Sequence, residues 1–558
     1  MSAARRAGPG WSLAVGALLV AALALRLWGI DTGLPYVYNA DENAHFVPRA
    51  IGMFGHSYNP GYFINPPGFT YLLHAVFALR WGGDGVQAAY AANLGDVVVV
   101  ARVCAAVLGT AAVGLLYLAG SRLFADRRVG LLAAALLATS FLAVFYAHFA
   151  LNDVPTLAPL CFALVGVAGV LRSGRPLDYA VAGLGIGLAC ATKYTAGIVV
   201  LCLVAAAVAG PRRRVGLPLA GLVALGAFLV ANPYALLDFP AFSDGLADQS
   251  SASNDGGGKL GLTQDNGILY YAGALTWGLG WLPLAAALGG GVGLAVRDRG
   301  AALVLVVPVV LFVLFMGSQD RFFARWVLPV VPLLCLLAAW GAVTLASRLP
   351  RPGVAVALAG VLVCAQGAVV SVHSSSVLAR EDTRQLVRDW MVRNVPPRSK
   401  VVVEPVFPDQ WASDPGAPRS RWNKWPTSRS RVDNDGSVRP GRGRVVKLED
   451  YERTTRPGLV SAYARGGYCW VITGSTQYGR ADAEPEAVPQ ALRYYAELRR
   501  RADIVHRVSP YDDGAQPVPF SFDSSFNYRP LAYARPGPEL VVYRLRDGAC
   551  ATSAAPDR

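Results

Sequence analysis

Residues 11–45 read WSLAVGALLVAALALRLWGIDTGLPYVYNADENAH, an apolar run that ends in a pair of carboxylates. The apolar part is long enough to cross a bilayer as a helix, and Arg5 and Arg6 precede it. Because Lys and Arg accumulate in cytoplasmic loops, we expect Asp41 and Glu42 to lie on the opposite face of the membrane. Ionisable groups gathered at one face of a helical bundle indicate a functional site.

The same run also has features of a secretory signal peptide, with Ala22-Leu23-Ala24 as a candidate cleavage site. Its apolar character continues through Trp28-Gly29-Ile30, which makes it long enough to span a membrane. We therefore interpret it as a retained first helix.

The composition divides the chain into two parts. Hydrophobic residues make up 54% and charged residues 16%, well below the roughly 25% charged residues of soluble domains. Residues 1–371 form the apolar part, and residues 372–558 form a polar part large enough for a core of its own. The net charge of +14 divides about equally between the two parts. In the apolar part it is explained by loop arginines facing anionic lipid, so a nucleic-acid partner is not required.

Eleven candidate spans follow from the apolar runs. They are residues 11–30, 97–119, 129–147, 154–171, 179–192, 194–210, 215–231, 268–294, 301–316, 325–347 and 352–371. With a cytoplasmic N-terminus, this count places the arginine clusters between spans inside and the C-terminal domain outside. The predicted localisation is the cytoplasmic membrane.

Two long external loops are predicted. The first, residues 31–96, contains a predicted amphipathic helix from Asp41 to Phe54 and an apolar segment from Phe69 to Trp81. That segment is too short to span, so we expect a helix at the membrane interface. The second, residues 232–267, is rich in Gly, Ser and Asp and is expected to be mobile around Ser250–Gly258.

The C-terminal domain alternates helical and strand patterns, which is typical of an α/β sheet with helices packed on it. Predicted helices are 383–394, 459–465 and 490–501, and predicted strands are 400–404, 468–473, 504–508 and 539–545. A basic linker, residues 419–444, carries Trp422 and Trp425 and is interpreted either as a solvated loop or as a contact for lipid phosphates or an anionic glycan. If this domain is extracytoplasmic, Cys469 and Cys550 could form a disulfide.

Asp41 is the candidate general base. A pair of acidic residues at a helix start is also common for structural reasons, because it interacts favourably with the helix dipole. At the bilayer edge, however, desolvation is expected to raise a carboxylate pKa toward the working range of a base. On a helix, Asp41, His45 and Arg49 would share one face.

Four more charged residues are predicted on the same side of the membrane. Asp153 precedes the fourth span and reads as its N-cap, a role compatible with a place in the site. Lys193 reads either as a snorkelling interfacial lysine or as an anion ligand. Arg321 and Arg325 are one helical turn apart, so both could bind one phosphate.

Cofactor chemistry has little support in the sequence. The spacing of His45, His56, His74 and His148 matches no metal-ligand pattern, although Asp41, Glu42 and Asp153 leave coordination of Mg²⁺ or Mn²⁺ open. The chain has no P-loop, nucleotide-binding glycine fingerprint or Ser/His/Asp signature. A donor reached from outside must therefore already be activated.

The membrane part resembles the GT-C superfamily of membrane glycosyltransferases, and is most similar to the protein O-mannosyltransferase and aminoarabinose transferase group, glycosyltransferase family 39. The stretches that carry the resemblance are Asp41-Glu42, Asn65-Pro66-Pro67-Gly68, 102–123, 148–155, 187–197, Asn232-Pro233-Tyr234 and 321–332. The C-terminal domain is more similar to that of bacterial members than to the β-trefoil insert of the protein O-mannosyltransferases, which favours an envelope glycan or lipid acceptor as much as protein.

The resemblance implies a polyprenyl-phosphate-linked sugar donor and a hydroxyl acceptor on a glycan, lipid or protein. It implies catalytic roles for Asp41, as the general base, and for Glu42 beside it. Substrate-binding roles are expected for residues in the matching stretches: Arg102, His148, Asp153, Lys193, Arg321 and Arg325. One base and one clamp on the leaving group suit a single inverting displacement.

Two other classes of function remain open. A flippase for lipid-linked saccharides would also use many spans with charged residues, but transporters usually place such charges near the bilayer midplane and carry repeats. Here the charges lie at span ends, which favours a transferase. A non-catalytic glycan-binding relative would not depend on Asp41.

Overall fold

The computed structural model describes residues 9–211, 216–253, 260–262, 266–426, 431–432, 444–445 and 451–551. Five helices are long and apolar enough to cross a membrane: Gly10–Leu27, Leu94–Phe124, Arg299–Gly317, Ala324–Ala346 and Pro352–Leu378. The number is at most seven if each of two pairs of helices joined at a sharp bend counts as one span. These pairs are Arg127–Thr139 with Phe141–His148, and Gly267–Gly278 with Trp281–Arg297. Four shorter apolar helices are Leu157–Arg172, Pro176–Thr192, Tyr194–Ala209 and Leu217–Ala231.

These helices are those of a multi-pass membrane protein. Every predicted span overlaps one of them, but the number of eleven crossings and their orientation stay predictions. The predicted span 268–294 is wrong as a single straight helix, because the chain bends by 115° between its two halves. Gly280 lies at the bend with a φ of 122°, a conformation that favours glycine.

The first external loop contains the expected helices. A short π-helix, Glu42–Phe46, continues into Val47–Gly52, and Gly68–Trp81 and Gly85–Ala92 follow. The first helix residue, Gly68, packs so closely that a Cβ would meet the carbonyl oxygen of Ala191 at 2.5 Å. Glycine is therefore required where this loop rests on the end of Pro176–Thr192.

The second loop is more ordered than expected. Helices Tyr234–Leu237 and Phe239–Ser253 cover most of it, and the rest of the segment expected to be mobile, residues 254–258, lies outside the described residues. An aromatic cluster around Phe242, which contacts Phe63 and Phe228, holds the second helix against the first loop.

The C-terminal domain has the predicted α/β organisation. Its helices are Thr383–Asn394, Tyr451–Thr454, Gly458–Gly466, Ser475–Ala483 and Pro489–Arg501, with short 3₁₀ turns Asp409–Ala412 and Gly548–Cys550 and a π-helix Phe522–Asn527. Its five-stranded sheet has the order Asn423–Trp425, Lys400–Val403, Tyr468–Gly474, Leu540–Leu545, Ala502–Val508. The first three strands run parallel, and Leu540–Leu545 lies antiparallel to both of its neighbours. A separate short antiparallel pair joins Arg431–Val432 to Arg444–Val445.

Neither interpretation of the basic linker holds for its tryptophans. Trp422 and Trp425 are buried in the core of the C-terminal domain, and Trp425 ends a strand of the sheet. Apolar surface of this size is more stable inside the domain than at a lipid or solvent boundary. Residues 427–430 and 433–443 of the linker lie outside the described part of the chain.

Cys469 and Cys550 form a disulfide, with their Cα atoms 5.2 Å apart. It connects the strand Tyr468–Gly474 to the turn after the last strand, Gly548–Cys550. The pairing left open by the sequence is therefore present in the structure.

The buried Glu404 makes the stability of the C-terminal domain depend on pH. Burial raises its pKa to about 8. Hydrogen bonds from the Tyr495 hydroxyl (2.6 Å) and the Gly474 amide (2.6 Å) lower the pKa, but by less than burial raises it. Since the unfolded carboxyl ionises near pH 4.5, the folded state holds the extra proton between these values. Stability is therefore expected to fall as pH rises from about 4.5 to 8, by about 1.4 kcal/mol per pH unit.

Glu404→Gln should remove this dependence, because a neutral amide fits the same site. The thermal unfolding midpoint, measured between pH 5 and pH 9, should fall with pH in the wild type and fall less in Glu404→Gln. Glu497→Gln, at the surface of the same domain, is the control and should follow the wild type. Parallel curves for all three proteins would contradict the assignment.

Candidate active site

A cavity of about 750 Å³ lies between the membrane body and the C-terminal domain. Six of the residues predicted for the site line it: Asp41, Arg102, Asp153, Lys193, Arg321 and Arg325. They come from the first loop, the helix Leu94–Phe124, the turn before Leu157–Arg172, the end of Pro176–Thr192 and the residues around the start of Ala324–Ala346. The fold thus brings together residues separated by up to 284 positions.

The local backbone conformation makes the side chains of Asp41 and Glu42 point in different directions. The Asn39 side-chain oxygen accepts hydrogen bonds from the backbone amides of both residues, at 3.1 Å each, and so fixes the start of the helical turn. Successive helical residues point about 100° apart. Asp41 therefore faces the cavity while Glu42 is buried behind it.

Asp41 forms an ion pair with Arg325, whose Nη2 donates to Oδ2 at 2.6 Å. Burial alone raises the pKa of Asp41, but the charge and hydrogen bond of Arg325 outweigh it, with smaller contributions from His45 and Lys193. The pKa lies below its ordinary value, so the expectation of a raised pKa is wrong. The predicted base is a stable carboxylate as long as Arg325 is its partner.

His45, stacked on Tyr62, lies on the other side of the Asp41 carboxylate. His45 Nε2 lies 3.9 Å from Asp41 Oδ1, and its ring stacks on Tyr62 with the centroids 4.9 Å apart. Burial lowers the pKa of His45 more than the charge of Asp41 raises it. At neutral pH, His45 is therefore a neutral neighbour of Asp41 and not a second cation. Arg49 does not join the pair, because it lies over the Tyr62 ring at 4.1 Å.

Asp153 and Lys193 form a second ion pair on the cavity wall, with side chains only 4% and 12% exposed. The expected N-cap role of Asp153 is wrong, since the helix begins at Leu157 and Thr156 occupies the cap position. Asp153 lies in the turn before the helix, where Lys193 satisfies its carboxylate. Next to it, Asn152 donates to the carbonyl of Thr192 at 2.8 Å and holds the two segments together.

Glu42 and Arg102 form a pair that is 0% and 1% exposed. Arg102 donates from Nε and Nη2 to the two Glu42 oxygens at 2.8 Å, and from Nη1 to the carbonyls of Ile30 and Thr32. Glu42 also accepts from the Ala150 amide at 2.8 Å. The pair joins the first loop to two other segments, so both carboxylate oxygens of Glu42 already have donors.

His148 and Arg321 differ from what was expected. His148 is fully buried behind the cavity wall, within 2.9 Å of the Val144 carbonyl and 3.1 Å of the Trp28 carbonyl. Arg321 lines the cavity, but the helical turn predicted to align it with Arg325 is absent, because the 3₁₀ segment begins only at Ala324. The two arginines therefore reach the cavity from an extended segment and from a turn.

The C-terminal domain forms part of the cavity wall, and the sequence did not predict this. Arg384 binds both oxygens of Asp382, at 2.8 and 2.6 Å, and lies 3.7 Å from the centroid of the Tyr38 ring. Arg480 and Arg529 also line the cavity. The pattern Asp382-Thr383-Arg384 could have indicated a helix cap, which it is, but no local pattern marks Arg529.

The donor set does not favour a metal ion. Among the residues that the structure describes, no group of three or more His, Cys, Asp or Glu side chains could hold one. The three carboxylates considered as ligands, Asp41, Glu42 and Asp153, each pair with a basic side chain. No step proposed below passes through a metal ion.

Known proteins resemble this chain in sequence and in fold. A family model described as dolichyl-phosphate-mannose-protein mannosyltransferase matches residues 65–236. The structure of ArnT from Cupriavidus metallidurans in the apo state is 15% identical, covers 96% of this chain and 98% of its own, and has a TM-score of 0.51. ArnT bound to undecaprenyl phosphate gives 16% identity, 99% and 100% coverage and a TM-score of 0.49.

Other matches are more distant. Arabinofuranosyltransferase AftD from Mycobacteria is 14% identical, covers 95% of this chain and 41% of its own, and has a TM-score of 0.41. No curated protein matches the chain significantly. The match to apo ArnT extends over almost the whole chain. The chain therefore has the fold of ArnT over almost its whole length, and it resembles the mannosyltransferase and ArnT group, as the sequence predicted.

Proposed function

We propose that the protein is an integral-membrane glycosyltransferase. It transfers a sugar from a polyprenyl-phosphate donor to a hydroxyl of an envelope glycan, lipid or protein, on the outer face of the cytoplasmic membrane. The observation that carries the proposal is the direct contact between a carboxylate and a guanidinium, Asp41 and Arg325, on the wall of one cavity. The disulfide Cys469–Cys550 supports an extracytoplasmic C-terminal domain, since disulfides persist in oxidising compartments.

The donor phosphate replaces Asp41 as the partner of Arg325. A guanidinium binds a phosphate through two parallel hydrogen bonds, and Arg321 and Lys193 line the same cavity. Once Arg325 turns to the phosphate, the largest effect opposing burial is weakened, and the pKa of Asp41 rises. Donor binding thus converts a weakly basic carboxylate into a better base.

Transfer is then a single displacement. Asp41 takes the proton of the acceptor hydroxyl as the oxygen attacks C1 of the sugar, and the bond between C1 and the phosphate oxygen breaks. The electron pair leaves with polyprenyl phosphate, whose growing charge the basic residues stabilise. The new bond forms opposite the old one, so the configuration at C1 inverts. Glu42 and Arg102 hold the first loop in place, and Asp153 keeps Lys193 directed at the cavity.

The test uses the full chain in proteoliposomes, with a panel of polyprenyl-phosphate sugars labelled in the sugar and with envelope glycolipids as acceptors. At least one donor should give labelled product and free polyprenyl phosphate, equally with and without EDTA. Movement of donor between leaflets without sugar release would contradict the proposal and identify a flippase.

Arg325→Gln should change the pH dependence of transfer. Without the guanidinium, the pKa of Asp41 rises, and because the carboxylate must be ionised, the acidic limb of kcat/KM should move to higher pH. Arg325→Lys retains a positive charge and should move the limb less. An acidic limb that is identical in the wild type and both variants would contradict the coupling of Arg325 to Asp41.

A further inference from the structure

Ion pairs account for most of the charge on the cavity wall. Paired carboxylates and bases are Asp41 with Arg325, Asp153 with Lys193, Asp382 with Arg384, Glu42 with Arg102 and Glu452 with Arg480. A further cation on the wall, Arg529, belongs to the C-terminal domain and to none of these pairs.

Arg529 has no partner among the residues that the structure describes. Its Nε is buried without a hydrogen-bond acceptor, and its guanidinium forms no ion pair with a described carboxylate. The acidic residue that acts on it electrostatically is Asp382, but Arg384 already occupies both oxygens of that carboxylate. A half-buried guanidinium left in this state is costly unless a ligand supplies the missing anion.

The preceding residue fixes where Arg529 lies. Tyr528 is 4% exposed and belongs to the core of the membrane body, where its ring packs on Trp277 at 4.9 Å and its hydroxyl lies 3.2 Å from that of Tyr146. Asp523 accepts a hydrogen bond from the Tyr270 hydroxyl at 2.7 Å. The segment 522–529 is therefore anchored on the membrane body at two points, and Arg529 is held at the cavity rather than on a free loop.

Arg529 belongs to a different part of the chain from the residues proposed for the donor. Arg321, Arg325 and Lys193 come from the membrane body, whereas Arg529 belongs to the C-terminal domain and has Arg384, Asp382, Tyr533 and, from the membrane body, Tyr146 as neighbours. With the C-terminal domain on the extracytoplasmic side, as proposed above, Arg529 lies on the side from which an acceptor arrives. We propose that Arg529 is an anion subsite for the acceptor, which carries a carboxylate or phosphate in addition to its reacting hydroxyl.

This inference rests on the proposed transferase function, but its test measures binding and does not require turnover. The probes are octyl glucoside and octyl glucuronide, which differ by one carboxylate, and polyprenyl phosphate as the donor-side probe. Binding of each to the full chain in nanodiscs is measured by calorimetry or ligand-observed NMR, below the concentrations at which the glycosides form micelles.

The wild type should bind octyl glucuronide at least about tenfold more tightly than octyl glucoside, since a hydrogen bond between charged groups in a partly buried site has about this effect. Arg529→Gln should lose this preference and retain polyprenyl phosphate binding. Arg535→Gln removes the same charge six residues later in the chain, at a residue that does not line the cavity, and should behave as the wild type.

Two results would overturn the proposal. Equal preference for the glucuronide in the wild type and Arg529→Gln would show that another cation binds the carboxylate. Loss of polyprenyl phosphate binding in Arg529→Gln, with the glycoside preference unchanged, would assign Arg529 to the donor. Retained binding of the unaffected probe and an unchanged unfolding midpoint exclude misfolding as the cause. A protein that binds as predicted but transfers no sugar would contradict the transferase function and leave the subsite intact.

Discussion

Asp41→Asn is expected to abolish sugar transfer while the protein still binds its donor. The amide cannot accept the proton of the acceptor hydroxyl, and loss of a general base lowers the rate by about 10²- to 10⁴-fold. Donor binding should persist or tighten, because Arg325 then gives up a neutral amide and not a carboxylate when it binds the phosphate. Turnover is measured by product formation, and donor binding by equilibrium titration with polyprenyl phosphate.

The matched control is Asp31→Asn, the same substitution in the same loop at an exposed residue that is not part of the cavity lining. It should retain the activity of the wild type. Asp41→Asn with turnover within a few-fold of the wild type would remove Asp41 from the mechanism and favour a binding or transport function. Loss of donor binding together with turnover would instead make Asp41 a structural residue of the donor site.

The second large effect concerns stability. Glu42→Gln leaves the buried Arg102 guanidinium without a compensating charge, and breaking such a pair costs about 3–5 kcal/mol. We expect a much lower thermal unfolding midpoint for the protein in detergent, with transfer lost through displacement of the first loop. The double variant Glu42→Gln, Arg102→Met should recover only part of the stability, because the carbonyls of Ile30 and Thr32 still lack their donor.

An ion pair at the surface provides the control for the effect of Glu42→Gln on stability. Asp126→Asn removes the charge facing Arg128, in a pair whose side chains are 27% and 47% exposed. Asparagine can still cap the helix Arg127–Thr139, and exposed ion pairs contribute no more than about 1 kcal/mol. If Glu42→Gln lowered the midpoint no more than Asp126→Asn does, the assigned structural role of the Glu42–Arg102 pair would be wrong.

The sequence predicted those elements whose determinants are local. Apolar runs of sufficient length marked the membrane helices, and the change of period between 3.6 and 2 residues marked the helices and strands of the C-terminal domain. The pair Asp41-Glu42 was found for the same reason. Which of the two faces the cavity depends on the cap at Asn39, a detail that could have been read from the sequence.

Features that depend on distant residues were missed. The pKa of Asp41 is set by Arg325, 284 positions away, so burial alone predicted the wrong direction. Asp153 was interpreted as a helix cap because Lys193, its partner in the fold, lies 40 positions later. The aromatic anchor Tyr528 and the neighbouring Arg529 have no pattern that distinguishes them from an ordinary loop. Their roles follow only from the contact between the two parts of the chain.

The measurement that tests the central claim most directly is ³¹P NMR of proteoliposomes supplied with a polyprenyl-phosphate sugar and an acceptor. The donor is a phosphodiester and released polyprenyl phosphate is a phosphomonoester, so the two give separate resonances. We predict conversion of the first into the second by the wild type, dependent on acceptor and absent in Asp41→Asn. A phosphodiester resonance that persists while the donor changes leaflet, or conversion that is unaffected by Asp41→Asn, would contradict the account.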